Sequence, residues 1–66
     1  MTRAQMIEIA RSNVEANLSD AVCEDGPDSI YENAFALGLD ALIDKGVPAE
    51  VGQSVATEVA MDFANP

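Results

Sequence analysis

The sequence predicts an all-α fold, a compact three-helix bundle with helices over about residues 3–21, 30–45 and 48–64. Three observations carry that prediction. Apolar residues recur at three- and four-residue intervals along most of the 66-residue chain. Capping-box spacings and glycine–proline punctuation divide the periodic runs. No segment alternates apolar and polar residues with period two over a useful length, so no strand is expected.

Thr2 and Gln5 stand three apart, a hydroxyl and an amide each able to satisfy an orphan backbone N–H, and they open the first helix. Ile7, Ala10, Val14, Leu18 and Ala21 then recur at helical spacing, with Met6 and Val22 beside them. Arg11 and Glu15 are spaced for an ion pair on its surface. The stretch CEDGPDS breaks this helix, because Gly26-Pro27 is a strong punctuator. Ser29 and Glu32 form a second capping box, with Asp28 favoured near the helix's positive end, so the second helix is expected from Ile30 to about Lys45. Gly46 is the left-handed cap and Pro48 belongs to the first turn of the third helix. The core is read as Ile30, Tyr31, Ala34, Phe35, Leu37, Ala41 and Leu42 against Val51, Val55, Val59 and Phe63. Gly52, Ala56 and Ala60 permit close approach. Residues 1–66 make one small domain.

Charge is the strongest signal. Twelve acids face three bases with no histidine, a net charge of −9, while 48% of the residues are hydrophobic. That composition is too apolar for a disordered chain, and its field repels nucleic acid and anionic membranes while attracting basic partners. A single cysteine, Cys23, excludes an internal disulfide and suits a reducing compartment. No stretch has the length of a membrane span, and the opening MTRAQMIEIAR lacks a continuous apolar core. The expected compartment is the cytoplasm, that of the host if the chain is viral.

The segment from Asp44 to Phe63 has the outline of a helix-turn-helix. A third-position recognition helix would present Glu50, Gln53, Ser54, Thr57, Glu58 and Asp62. No basic residue follows Lys45 to contact phosphates, and Gly52 stands where such readers place a branched apolar residue. Direct nucleic-acid binding is not expected. The glycine-containing loop between two helices is similar to that of ubiquitin-associated domains. Lys45-Gly46-Val47 stands in place of their hydrophobic-glycine-aromatic loop, however, so no family follows from it.

Neither catalysis nor a cofactor is expected. The usual general base is missing, and Glu24 and Asp25 beside Cys23 disfavour its thiolate. With Gly26 at the sixth position of a calcium loop, Glu32 falls at the twelfth, but Ala21 and Cys23 occupy the first and third ligand positions. No metal site is assigned; weak divalent-ion binding by Glu24, Asp25 and Asp28 is the most this turn offers.

The acids themselves are ordered. Asp28, Glu32, Asp40 and Asp44 follow a four-residue row on the second helix, with Ala36 as its gap. Glu50, Glu58 and Asp62 follow another on the third, with Ser54 as its gap. Like charges at that spacing destabilise a helix slightly, and no lysine is interleaved. Such rows imitate a phosphate backbone sparsely and suit a basic, nucleic-acid-binding surface on another protein. Four apolar residues, Ile9, Leu39, Ile43 and Met61, fall where polar ones are expected and form a second candidate contact set. The expectation is a small acidic protein-binding module, an inhibitor or regulator, resembling in type phage-encoded inhibitors of host enzymes. The alternative is a structural homodimer or assembly subunit joined through the apolar set.

Overall fold

Thr2 opens the first helix as its spacing predicts. In the computed structural model, which describes residues 1–65, the Gln5 N–H donates to the Thr2 hydroxyl at 3.1 Å. The Thr2 N–H donates in return to the Gln5 side chain at 2.7 Å. Helix α1 spans Arg3–Asn17 and stops short of the expected end. Leu18 is extended, and Ser19 starts a separate short helix α2, Asp20–Glu24, its hydroxyl accepting from the Val22 N–H at 3.3 Å. Among the described residues the expected three helices are therefore four, three of them long. Periodicity ran through Leu18 and Ala21, but Asn17, Ser19 and Asp20 offer the backbone local hydrogen bonds that compete with helix. Ala21, placed on the apolar stripe by that reading, is exposed.

Helix α3 spans Pro27–Asp44, three residues earlier than Ile30. Gly26 is its N-cap at φ 107°, a region open to glycine, and Pro27 is its first residue. Pro27 lacks only an N–H that would have no partner in a first turn, so it opens the helix it was read as preceding. The Ser29–Glu32 capping box accordingly does not form, and both residues lie inside the helix. At the other end Gly46 has φ 86° and donates to the Ile43 carbonyl at 2.9 Å, while Val47 donates to the Leu42 carbonyl at 3.0 Å. That pair of bonds is a Schellman motif, with half-buried Val47 packed against the core behind it. Pro48 is the N-cap of helix α4, Ala49–Ala64, and lies just outside its first turn.

The three long helices share one core. Arg3 of α1 meets Ser54 and Glu58 of α4, and Arg11 meets Asp62, so these two helices ascend together. The tight turn at Gly46 sends α3 the opposite way. Helix α2 packs on α3 alone. Fully buried side chains are mostly small: Val14, Leu42, Val55 and Val59 are the large ones, surrounded by Ala10, Ala34, Ala56 and Ala60. Tyr31 and Phe35, stacked with centroids 6.4 Å apart, are half-buried at the margin. Val51, read as core, is 40% exposed. Residues four apart rotate about 40° around a helix at each step, so the row Val51, Val55, Val59, Phe63 begins outside the core.

Candidate protein-binding surface

The two acidic rows meet different environments. On α4 the Arg3 guanidinium donates to Glu58 at 3.1 Å and to the Ser54 hydroxyl at 3.4 Å, so the residue that interrupts the row shares the cation that neutralises it. Arg11 pairs with Asp62 at 3.1 Å rather than with its helix neighbour Glu15. Both pairs are about half exposed and bridge α1 to α4 across the surface. Glu50, in the first turn of α4 where the helix dipole favours a carboxylate, has no ion-pair partner among the described residues. The α4 row is thus largely a seam between helices.

On α3, Asp28, Glu32, Asp40 and Asp44 are all exposed, and none is ion-paired among the described residues. The helix contains no lysine or arginine. The same drift of about 40° per step applies, so the row winds around the outside of α3. Asp40 and Asp44 turn toward the α1 side, Asp28 and Glu32 toward the α4 side. Asp44 reaches an open groove of ≈ 560 Å³ between α1 and α3, where it faces Glu8 and Ile9 of α1.

The apolar candidates do not form one patch. Ile9 is half-buried, packs against the core and lines the α1–α3 groove beside Ala41. Leu39 lies on the opposite flank of α3, because two residues turn a helix by about 200°. A Cβ added at Gly52 of α4 would meet the Leu39 Cδ1 at 3.0 Å, so that side chain is already seated on α4. Ile43 and Met61 are 49% and 52% exposed. Of the four, these two are the most exposed.

The roles of three residues escaped the sequence reading, which paired Arg11 with Glu15. Arg3 and Arg11 hold the α4 acids, and their common helix and two-turn separation were the available signal. Asn13 is half-buried and donates to the Leu37 carbonyl of α3 at 2.7 Å while accepting from Asn17 at 2.9 Å. Nothing in its sequence neighbourhood marks it. The segment read as a weak calcium turn is helical on both sides: Glu24 ends α2 and Asp28 lies in the first turn of α3. Among the described residues no three His, Cys, Asp or Glu side chains converge in a metal-holding arrangement. No helix there is long and apolar enough to cross a membrane. Cys23 is exposed at the end of α2. Comparison of the chain with known protein families, curated proteins and solved structures finds no match.

Proposed function

We propose that this chain is a small acidic binding module that inhibits or regulates another protein by occupying its basic surface, with the exposed carboxylates that wind around the outside of α3 as the working groups. One observation carries the reading. Helix α3 has four exposed carboxylates, no cation and no ion pair among the described residues, while the cations of α1 are spent on α4. A surface needing only solubility is served as well by mixed charge, which also relieves repulsion along the helix. From Asp28 to Asp44 the row extends about 24 Å along the axis, with roughly 6 Å between residues four apart. That spacing is too open to copy a nucleic-acid strand charge for charge, and it suits separate Lys or Arg side chains on a protein. No catalytic role is assigned to any residue.

The test begins with a partner obtained by affinity capture, followed by association kinetics on the purified pair. Asp40→Lys with Asp44→Lys should slow association about tenfold at low salt. Glu15→Lys with Glu24→Lys changes the net charge by the same amount, from −9 to −5, away from the outer face of α3, and should have a much smaller effect. Equal slowing by both pairs would show that only total charge matters. A silent Asp40/Asp44 pair would make the α3 acids solubility groups.

The exposure of Ile43 and Met61 favours one second reading, a homodimer or assembly subunit. Sedimentation over a wide concentration range decides it. Under that reading the protein self-associates without any partner, and Ile43→Glu weakens the assembly while leaving the helical spectrum intact.

A further inference from the structure

We propose that the groove between α1 and α3 receives a basic amphipathic helix of the partner; the proposal rests on the protein-binding reading above and names the element that docks. The groove is lined by Ile9, Ser12 and Ala16 of α1 with Ala41 of α3; Ser12, Ala16 and Ala41 are small enough for a helix backbone to come close, and Ile9 supplies an apolar contact. A second hollow, ≈ 390 Å³, shares Glu8 and Ile9 with it and continues to Gln5 and the exposed Met1. Together they follow the α1 side of the molecule from Met1, just before the helix begins, to Ala16; the helical part from Arg3 is about 20 Å, close to a four-turn helix. The seam between α1 and α4 is bridged by the two arginine pairs, with a hollow of ≈ 500 Å³ beside Arg11 at its Phe63 end. The larger α1–α3 groove is crossed by no ion pair among the described residues and lies where a further helix of a bundle would pack.

Charge selects the occupant. Glu8 and Asp44 line the groove and Asp40 is exposed one residue from Ala41 on its α3 side, against the single cation Lys45. A second copy would bring another net charge of −9 to this face, so a helix carrying Lys or Arg beside an apolar stripe is the complementary partner. Its apolar stripe meets Ile9 and Met1, and its flanking cations meet Glu8, Asp40 and Asp44.

The probe is a Leu/Lys peptide of about sixteen residues with leucines at helical spacing, compared with a scrambled peptide of identical composition. Titrated into the ¹⁵N-labelled protein, the amphipathic peptide should shift the amide signals of Ile9, Ser12, Ala16 and Ala41, and the scrambled one should bind more weakly. Ala16→Arg fills the groove from an exposed helix position. It should lower affinity for the amphipathic peptide about tenfold with an unchanged circular-dichroism spectrum. Equal binding of both peptides, with shifts confined to the outer acids such as Asp28 and Glu32, overturns the groove and leaves the acidic-face reading standing. Failure of both peptides to bind overturns the groove as well. If wild-type protein alone dimerises and Ala16→Arg abolishes the dimer, the occupant is a second copy and the proposal falls.

Discussion

Gly38 of α3 lies where all three long helices meet. A Cβ there would stand 3.3 Å from the Ala10 Cβ and 3.7 Å from the Ala56 Cβ, atoms fixed to helix backbones that cannot turn aside. Gly52 presents the opposite case. Its added Cβ would meet the tip of the half-buried Leu39 side chain at 3.0 Å, and that tip can rotate away. Alanine is favoured over glycine in a helix interior by up to about 1 kcal/mol. Overpacking a tight contact costs typically ~1–3 kcal/mol. Gly52→Ala should therefore leave thermal stability unchanged or raise it, and Gly38→Ala should lower it. The reverse order of melting temperatures would show slack at the helix crossing and a rigid Leu39. Large buried residues such as Val14, Leu42, Val55 and Val59 were legible in the sequence because their spacing repeats. Gly38 was not, since a missing side chain says nothing about what stands opposite. The same limit hid the partners of Arg3 and Arg11, which lie more than 50 residues away along the chain.

Helix boundaries followed the local chemistry wherever one signal acted alone. Thr2–Gln5 and Gly46 formed the caps their residues predict, whereas two signals competed at Ser19 and at Pro27. At Ser19 the apolar spacing of Leu18 and Ala21 pointed to continuation, and the hydroxyl cap prevailed. At Pro27 the breaker was also a first-turn residue, so α3 began before its capping box. Helix α2 is the element that the competition created. It has five residues, none buried and Val22 half-buried, and among the described residues it packs on α3 alone. A helix that short is not stable by itself, so its opening should be local and should not require the core to unfold. Amide hydrogen exchange is expected to be fastest, among the helices, at residues 20–24, and slowest at Leu42, Val55 and Val59. Ser19→Ala should speed exchange in α2 further while shifting the global melt little. Protection of α2 equal to that of α3 would instead make it part of the cooperative core.

At the scale of the whole molecule the same charges act in two directions. Twelve acids on a chain of 66 residues repel one another, and the two arginine pairs relieve only the α4 side. The core set against that repulsion is built mostly from alanine and valine, and a domain of this size has little stability in reserve. Screening by salt shortens the range of the repulsion from about 10 Å at 0.1 M to about 3 Å at 1 M. It weakens the exposed Arg3–Glu58 and Arg11–Asp62 pairs too, but such pairs contribute only about 0–1 kcal/mol each. Repulsion among the ten remaining carboxylates is the larger quantity, so the melting temperature should rise between low salt and 0.5 M (about a 4 Å screening length). Association with a basic partner depends on the same field acting outward, and its rate should fall over the same range. Arg3→Ala with Arg11→Ala separates the two contributions: it should lower stability most at low salt, and added salt should recover most of the loss. A melting temperature that falls as salt is added would mean that attraction in the two pairs outweighs the repulsion of the acids. The acidic face would then impose no strain on the fold, and the absence of lysines from α3 would lose its weight as a sign of function.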